Sequence, residues 1–329
     1  MTKYLLVDTA NTFFRARHVA YRGTSAEEKL GLAMHITLNA VLKAYQKQDA
    51  DHVVFCLEGR SWRKDFYEPY KKNRAVARQA LTEAEQEEDQ LFWQAFDDLT
   101  TFLKDKTNCS VLQCKIAEAD DIIARWVYKH PEDEHCIVSS DTDFIQLITD
   151  KVTQYNGITQ ELHTLKGIFD DKGKYVVDKK TKLPKAIPDP EWLLFEKCMR
   201  GDTSDNVFSA FPGVRKKGTK NKVGLLEAFE DRKNKGFNWN NMMLQRWVDH
   251  HGVEHRVLDD YTRNVHLIDL TEQPEDVKDV VDTHIDETVA IKEHPMVGAK
   301  FLKFCGKYDL QKLADNAQKY AEFLQAGYK

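Results

Sequence analysis

The sequence predicts an α/β fold, in which a mostly parallel β-sheet is flanked by helices. Three short apolar segments, residues 3–7, 52–57 and 136–138, have the length and composition of strands. Segments with helical periodicity separate them, and this alternation is typical of a parallel, doubly wound sheet. Residues 52–57 are apolar on both faces, as expected for a strand buried between two layers of helices.

Two long helices are predicted from capping boxes, in which a Ser or Thr and a Glu three residues later cap the first turn. Ser25 and Glu28 open the first helix, and Thr82 and Glu85 open the second. After each box, apolar residues recur at helical spacing. These residues are Leu30, Met34, Leu38, Val41, Leu42 and Tyr45 in the first helix, and Phe92, Phe96, Leu99 and Leu103 in the second.

The chain is long enough for two domains. We expect an α/β domain over residues 1–186, with a helical insertion at about 60–90, and a helical region over residues 187–329. Residues 152–155 and 175–177 are strand-like, and the lysine-rich segment 172–185 is predicted to be an exposed hairpin and loop. A helix is predicted over 192–199, and most of the chain beyond 239 has the pattern of amphipathic helix.

Composition excludes a membrane-spanning protein. The 329 residues carry a net charge of −5, and no apolar run approaches the roughly 20 residues of a membrane span. The apolar stretch before Asp8 is too short for a signal peptide. The six cysteines lack zinc-type spacing, so we expect reduced thiols in a cytoplasmic protein, or in the host cytoplasm if the source is a phage.

Acidic residues mark the ends of the predicted strands. Asp8, Glu58 and Asp141 each stand at the carboxyl end of one, and open α/β sheets bind their ligands at that edge. Further acids lie in the motifs EADD (118–121), SSDTDF (139–144) and GDTSDN (201–206). The complete set is Asp8, Glu58, Glu118, Asp120, Asp121, Asp141, Asp143, Asp202 and Asp205.

Each acidic group also has a structural explanation. Acids at a helix start are common caps, and Asp141 with Asp143 can cap a helix predicted over 144–148. The groups together favour a metal site, because carboxylates gathered at one edge repel each other unless a cation lies between them. Mg²⁺ prefers such oxygen ligands and takes one or two carboxylates. Nine acids therefore suggest two ions about 3.5–4 Å apart, a pair that activates water and stabilises the departing 3′-oxygen of a phosphodiester.

A basic segment rich in aromatics, residues 60–78, follows the acid at the end of the second strand. Its aromatic residues are Trp62, Phe66, Tyr67 and Tyr70. Basic residues among aromatics suit phosphate contact with base stacking on single strands; the alternative is a solvated surface helix. The basic residues and the tyrosine that are candidates for nucleic-acid contact here are Arg63, Lys64, Tyr70, Lys71, Lys72 and Arg74.

A second basic segment follows the GDTSDN motif. A Pro-Gly turn, a glycine-containing basic loop and a predicted helix resemble a helix-hairpin-helix motif at about 205–231. Such a motif offers backbone N–H groups and lysines to phosphates without reading bases. The basic residues of this loop are Arg215, Lys216, Lys217, Lys220 and Lys222.

The order and spacing of these motifs resemble those of structure-specific 5′ nucleases of the flap-endonuclease superfamily, over about residues 3–270. The motifs are VDTAN at Asp8, LEG at Glu58, YKKNR at 70–74, EADD, SSDTDF and GDTSDN. The similarity is greatest to the compact bacteriophage 5′→3′ exonucleases and to phage RNase H, especially in WRKDFYEPYKKNR. This resemblance implies a PIN-like nuclease core with a helical arch that admits single-stranded 5′ ends.

The resemblance also implies roles for individual residues. Lys71 and Arg74 match the catalytic cations of the arch. The first of two Mg²⁺ ions, for which Mn²⁺ can substitute, would be held by Asp8, Glu58, Glu118, Asp120 and Asp141. The second would be held by Asp143, Asp202 and Asp205, with Asp121 between the two ions. Glu58 stands where the family usually has Asp, and the loop PGVRKKGTK lacks the usual second Gly-Ile-Gly of the family's cation-binding hairpin.

The implied activity is hydrolysis of phosphodiesters at 5′ ends during replication. The expected substrates are DNA with a 5′ flap, a nick or a single-stranded 5′ end, and RNA–DNA hybrids. A single-stranded-DNA-binding protein or a sliding clamp are the candidate protein partners. Two alternatives remain open at this point: a DNA-end scaffold that keeps the fold without turnover, and a PIN-like ribonuclease, although such domains are shorter and have no arch.

Overall fold

The computed structural model describes residues 1–19, 25–289 and 293–328, which fall into two compact units. Unit 1 comprises the described parts of residues 1–61 and 81–187 and of the chain from 274 onwards. Unit 2 comprises residues 62–80 and 188–273. These units divide the chain differently from the predicted boundary at 186/187, because residues 62–80 group with unit 2 and the chain returns to unit 1 at Pro274.

The strands are β1 (Lys3–Asp8), β2 (His52–Leu57), β3 (Ser110–Gln113), β4 (Glu134–Val138), β5 (Val152–Asn156), β6 (Glu161–Thr164), β7 (Gly167–Phe169), β8 (Arg246–Val248) and β9 (Glu254–Arg256). The helices of the first half of the chain are α1 (Thr9–Val19), α2 (Ala26–Gln48), α3 (Arg63–Phe66), α4 (Lys72–Gln79), α5 (Glu83–Lys106) and α6 (Ala119–Lys129). Those of the second half are α7 (Pro190–Arg200), α8 (Leu225–Asp231), α9 (Phe237–Met243), α10 (Val257–Ile268), α11 (Glu275–Thr288), α12 (Val297–Lys307), α13 (Gln311–Ala314) and α14 (Ala317–Leu324).

A seven-stranded sheet in the order β3-β2-β1-β4-β5-β6-β7 forms the centre of unit 1. The first five strands in this order are parallel, which confirms the predicted fold class, and β6 and β7 continue the sheet antiparallel to their neighbours. One row of paired residues crosses it: Val7, Val138, Tyr155, Leu162 and Phe169. The residues that follow Val7 and Val138 therefore lie at the same edge.

Helices cover both faces of this sheet. On one face, α1, α2, α5, α12 and α14 contribute to a buried core that includes Phe13, Met34, Phe92 and Phe301. On the other face, α6 lies against β1 and β2, and α11 lies against α6. Both predicted capping boxes form: Ser25 accepts from the Glu28 N–H, and Thr82 accepts from the Glu85 N–H. The two long helices therefore begin where the sequence predicts.

The C-terminal helices α11 to α14 belong to unit 1, not to the helical region predicted for residues 187–329. The Arg125 guanidinium of α6 binds both carboxylate oxygens of Asp282 in α11, at 2.8 and 2.6 Å. Phe323 and Leu324 of α14 are fully buried in the core. Amphipathic periodicity predicts helices here, but it does not specify which core their apolar faces will join.

Unit 2 contains the helices α3, α4 and α7 to α10 and the hairpin β8–β9. Helix α7 covers the predicted range 192–199 but begins two residues earlier, with Asp189 as its cap and Pro190 at its first position. A helix-hairpin-helix motif was predicted at about 205–231, but the structure has one helix there, α8. The described chain from 201 to 224 contains no helix. A short bridge between Thr219 and Lys222 closes the tip of the basic loop.

Three local predictions need correction. Residues 142–147 form a 3-10 helix, since the Asp141 side chain caps a short turn that ends at Ile148. Strands β6 and β7 were not predicted because they are only four and three residues long. Residues 175–177 make isolated bridges rather than a strand. Within the described residues, no helix is long and apolar enough to cross a membrane.

Candidate active site and nucleic-acid interface

Asp8 is the centre of the acidic edge of unit 1. It ends β1, only 3% of its surface is exposed, and it accepts hydrogen bonds from the Ser139 hydroxyl (2.8 Å) and the Asn11 N–H (3.3 Å). The Ser139 hydroxyl also accepts from the Asp141 N–H at 3.0 Å. A single serine therefore fixes the ends of β1 and β4 relative to each other and places Asp141 next to Asp8.

Glu58 leaves β2 and reaches the start of helix α6. One of its carboxylate oxygens, Oε2, accepts from the Ala119 N–H at 3.2 Å, where the helix dipole favours negative charge. Gly59 allows this path, because a Cβ there would lie 1.8 Å from the carbonyl oxygen of Cys114. The longer side chain of Glu, compared with the Asp usual in the family, is thus used to reach a helix N-terminus.

The EADD motif forms the first turn of α6. Glu118 is buried and accepts from the Ser61 hydroxyl at 2.8 Å. Asp121 is fully buried and accepts from the Glu118 N–H at 3.0 Å, so it caps its own helix. Asp120 lies near enough to Cys56 of β2 for its negative charge to raise the pKa of that buried thiol, together with burial and with Asp8 and Glu58.

Asp141 and Asp143 share the turn after β4. The Asp141 Oδ1 accepts from the Asp143 N–H at 3.0 Å, which is the capping role that the sequence also allowed. The Gln154 amide of β5 donates to the carbonyls of Ser139 and Asp141, at 3.1 and 2.5 Å, and holds the turn in place.

Several residues that hold the acids were not predicted. Ser61, Ser139, Asn11 and Gln154 carry no charge and lie outside the acidic positions, although Ser139 and Asn11 fall within SSDTDF and VDTAN. Asn11 accepts from both the N–H and the hydroxyl of Ser140, at 3.1 and 2.8 Å. The available signal was the presence of small polar residues next to acids, and pattern alone does not distinguish them from ordinary turn residues.

The acids of unit 1 repel each other. Burial raises the pKa of Asp8 to about 7, with further contributions from the charges of Glu58 and Asp141, and against the hydrogen bond from Ser139. An ionised carboxylate under such conditions is costly unless a cation compensates it. This electrostatic demand, with hard oxygen donors at the carboxyl edge of a parallel sheet, fits a divalent cation of the Mg²⁺ type.

The carboxylates do not form a finished coordination shell. Across the described ranges, no group of three or more His, Cys, Asp or Glu side chains is arranged to hold a metal ion. Several of the acids instead bind nearby N–H and hydroxyl groups, as described above. The charges of Glu58 and Asp141 lie close enough to Asp8 to raise its pKa, and side-chain movements would be needed for these carboxylates to bind one ion.

The acids of unit 2 differ because lysine and arginine neutralise them. Asp202 accepts from Lys197 Nζ (2.8 Å) and from the Ser204 hydroxyl (2.6 Å). Burial alone would raise the pKa of Asp202, but these contacts outweigh it and lower the pKa to about 2. Gly201, at a φ of +77°, lets the loop turn sharply into this motif. A basic residue therefore lies directly against one of the nine acids.

Lys71 and Arg74 converge on Asp205 within unit 2. An Arg74 guanidinium nitrogen lies 2.6 Å from Asp205 Oδ1, and Lys71 Nζ lies 3.7 Å from Oδ2. The Lys71 backbone N–H also donates to the Asp205 carbonyl at 2.8 Å, although Lys71 has a left-handed φ of 54°. Strained backbone of this kind is common at functional sites. The cations assigned to catalysis thus share one carboxylate.

Two aromatics of the basic segment are buried and therefore do not offer a stacking surface for bases. Trp62 and Tyr70 are 8% and 4% exposed, and the Tyr70 hydroxyl donates to Asp205 at 3.0 Å. Arg63 is 2% exposed, and its Nε donates to the Leu267 carbonyl at 2.9 Å. Arg63 and Tyr70 therefore have structural roles in unit 2, whereas Phe66 is 51% exposed. Lys64 and Lys72 are exposed, as expected of nucleic-acid contacts.

The second basic segment is an exposed loop whose shape depends on Glu227 of α8. The Glu227 carboxylate accepts from the Gly218 N–H at 3.0 Å and from the Gly224 N–H at 2.9 Å, and so ties the loop to the start of the helix. The side chains assigned to phosphate contact are all exposed: Arg215, Lys216, Lys217, Lys220 and Lys222. Glu227 thus binds the backbone of the loop, while the Lys216 ammonium lies over the Trp192 ring at 5.3 Å from its centroid.

Comparison with known proteins is consistent with this site. Residues 3–179 match the family described as 5′-3′ exonuclease, N-terminal resolvase-like domain. The chain belongs to this family. It is 28% identical over 233 residues to a flap endonuclease Xni from Shewanella loihica, covering 70% of this chain and 77% of the relative. It is 24% identical over 229 residues to the flap endonuclease of Escherichia phage T5, covering 68% and 69%.

Solved structures agree on the fold. A T5 5′-exonuclease with bound zinc ions superimposes with a TM-score of 0.62 at 20% identity, covering 88% of this chain and 99% of that protein. A complex of the T5 flap endonuclease with DNA and metal ions has a TM-score of 0.57 at 19% identity, covering 97% and 99%. At these identities the likeness concerns the fold, and the assignment of individual metal ligands and DNA contacts stays a prediction.

Proposed function

We propose that this member of the 5′-3′ exonuclease family is a two-metal-ion flap endonuclease and 5′→3′ exonuclease. Its proposed substrates are 5′ ends at DNA flaps, nicked duplexes and RNA–DNA hybrids, as in primer removal during replication. The observation that carries the proposal is the acidic edge of unit 1, where burial, together with the charges of Glu58 and Asp141, raises the pKa of Asp8. Family membership gives the class of reaction, and the acids supply the chemistry that it requires.

Asp8, Glu58, Glu118, Asp120 and Asp141 are the proposed ligands of the first ion, and Asp143 contributes to the second. The assignment of Asp202 and Asp205 to the second ion and of Asp121 between the ions stays a prediction from the family resemblance. When bound, Mg²⁺ would generate a nucleophile from water at neutral pH and stabilise charge on the leaving oxygen. Mn²⁺ has similar ligand preferences and is expected to substitute.

The chain's own residues orient and hold these groups. Ser139 fixes Asp8 and Asp141 relative to each other, and the start of α6 orients Glu58. Lys71 and Arg74 are proposed to stabilise the negative charge that develops on the transferring phosphate, an effect that fixed cations provide without reorganisation. The loop from Arg215 to Lys222 is proposed to hold the duplex through its backbone phosphates.

Cleavage of a 5′-labelled DNA flap and of an RNA–DNA hybrid, with Mg²⁺ and with EDTA, tests the proposal. We expect cleavage of both substrates in Mg²⁺ and of neither in EDTA. Binding of the flap without cleavage in any divalent cation would favour the DNA-end scaffold instead. Cleavage restricted to single-stranded RNA would favour a PIN-like ribonuclease.

A further inference from the structure

The lysine hairpin, defined as residues 170–185, extends the edge of the sheet in unit 1 beyond β7. Its backbone is fixed by hydrogen bonds: the Val176 N–H donates to the Ile168 carbonyl, and the Lys185 N–H donates to the Val176 carbonyl, at 2.9 and 2.8 Å. Across its outer turn, the Asp178 N–H donates to the Leu183 carbonyl at 2.9 Å. These bonds give the hairpin a defined shape and fix the backbone positions from which its side chains extend.

The three acidic residues of the hairpin make hydrogen bonds or ion pairs within unit 1. Asp170 accepts from the N–H groups of Lys172 and Lys174, at 2.8 and 2.9 Å, and Asp178 caps the outer turn by accepting from two N–H groups. Asp171 turns back and pairs with Lys43 and Lys47 of α2. The three carboxylates therefore build the hairpin and do not form ion pairs with its lysine side chains.

The lysine side chains, in contrast, point into solvent. All of them are exposed, and within the part of the chain that the structure describes none forms an ion pair. They are Lys172, Lys174, Lys179, Lys180, Lys182 and Lys185. Against the three carboxylates of the hairpin, the six ammonium groups leave it a net charge of +3, in a protein whose net charge is −5. Such a patch attracts a polyanion.

The register of the sheet gives the position of one turn of this hairpin. Phe169 lies in the same cross-strand row as Val7 and Val138, four strand spacings from β1. Because strands are about 4.8 Å apart, the turn at 170–174 lies at the same edge as Asp8 and roughly 19 Å along it. That distance corresponds to about six base-pair steps of 3.4 Å. Lys172 and Lys174 are therefore within reach of a nucleic acid whose cleaved bond lies at the acidic edge.

Two classes of polyanion could bind such a patch: a nucleic-acid backbone or an acidic protein segment. Tyr175, the aromatic residue of the hairpin, packs its ring against Phe169 at 4.5 Å between centroids and is 48% exposed. Lysines that outnumber a single half-exposed tyrosine suit phosphate contact without reading of bases. The position at the acidic edge also favours the substrate itself.

We propose that the lysine hairpin is a further nucleic-acid contact, which binds substrate phosphates about six base pairs from the acidic edge through Lys172 and Lys174. This inference rests on the proposed function, since it takes the nuclease substrate as the ligand. This contact would add to those proposed for the two basic segments of unit 2. The contact is electrostatic and independent of base sequence.

The test is the salt dependence of flap-DNA binding in EDTA, measured by fluorescence anisotropy. The variant is Lys172→Ala/Lys174→Ala, and the matched control is Lys312→Ala/Lys319→Ala, which removes two exposed lysines elsewhere in unit 1. With duplex arms of about 16 base pairs, we expect the slope of log K against log salt to fall by about two for the variant and to stay unchanged for the control. With arms of about four base pairs, which end short of the hairpin, variant and wild type should bind alike.

Charge rather than side-chain shape should determine the result, so Lys172→Arg/Lys174→Arg should keep the wild-type slope. Equal slopes for the wild type and the alanine variant on long duplexes would overturn the proposal. Unchanged DNA binding with loss of binding to a poly-glutamate peptide would also overturn it and assign the hairpin to an acidic protein partner. Binding in EDTA does not depend on turnover, so absence of flap cleavage by the wild type would count against the proposed function alone.

Discussion

The two units hold aspartates from the same set of motifs in opposite electrostatic states. In unit 1, Asp8 is buried next to Glu58 and Asp141, and its pKa rises to about 7. In unit 2, Asp202 is paired with Lys197 and its pKa falls to about 2, while Asp205 contacts Lys71 and Arg74. Burial and like charges thus dominate at Asp8, whereas basic side chains dominate at Asp202 and Asp205. The same kind of motif residue can therefore be raised or lowered in pKa by its surroundings.

Neutralising Asp8 should have the largest effect. Asp8→Asn removes a proposed metal ligand, and we expect cleavage to fall by at least about 10³-fold, since metal stabilisation is worth several kcal/mol. The measurement is the single-turnover rate on a 5′ flap in Mg²⁺. Asp171→Asn is a suitable control, because that acid pairs with Lys43 and Lys47 away from the acidic edge. A rate within tenfold of the wild type would remove Asp8 from the site.

The same variant should stabilise the metal-free protein. Because the pKa of Asp8 is raised in the folded state, its ionisation costs stability, and this cost grows as the pH rises from about 4 towards 7. Asn does not ionise, so Asp8→Asn should raise the Tm in EDTA by more at pH 8 than at pH 5. Equal increases in Tm at both pH values would contradict the raised pKa of Asp8.

The cations of unit 2 come next in expected effect. Lys71→Ala and Arg74→Ala should each lower kcat on flap DNA by at least about 10²-fold, as expected when a charge that stabilises the transition state is lost. Duplex affinity should change little, because the loop from Arg215 to Lys222 is proposed to carry that contact. Single-turnover kinetics and equilibrium binding separate the two effects. Loss of affinity at an unchanged kcat would make these residues a binding patch and leave Asp205 as their structural counterion.

The sequence predicted the acidic edge well, because strand ends in a parallel sheet are fixed by topology. Asp8, Glu58 and Asp141 follow buried strands, and β-strand pairing brings those ends together. It could not predict that Arg63 would turn inwards to the Leu267 carbonyl, since that contact joins residues about 200 positions apart. The return of α11 to α14 to unit 1 was missed for the same reason.

A smaller effect is expected at Glu58. Glu58→Asp shortens the side chain by one methylene, so the carboxylate would no longer reach the Ala119 N–H at the start of α6. Loss of this orienting bond should raise the Mg²⁺ concentration for half-maximal cleavage by a factor of about 3 to 10, because Mg²⁺ tolerates little distortion of its ligands. Glu58→Gln, which keeps the length but not the charge, is the matched comparison. An unchanged Mg²⁺ requirement in Glu58→Asp would show that this bond does not position the carboxylate.

The smallest effect concerns the basic loop of unit 2. Lys216→Ala/Lys217→Ala should flatten the salt dependence of duplex binding by up to about two units of slope and leave kcat unchanged. Glu227→Ala should weaken duplex binding, because the Gly218 and Gly224 N–H groups lose their acceptor and the loop is no longer tied to α8. Glu230→Ala, on the exposed side of the same helix, should leave duplex binding unchanged. An unchanged slope in the lysine variant would exclude this loop as a phosphate contact.

The central claim is that Asp8 belongs to a divalent-cation site, whereas Lys197 already compensates the charge of Asp202. Thermal unfolding of the wild type, Asp8→Asn and Asp202→Asn, each in EDTA and in Mg²⁺, tests it most directly, because ligands that bind the folded state raise the Tm. We predict that Mg²⁺ raises the Tm of the wild type and of Asp202→Asn, and raises that of Asp8→Asn much less. Equal Tm values with and without Mg²⁺ in the wild type, together with undiminished cleavage in EDTA, would contradict the account.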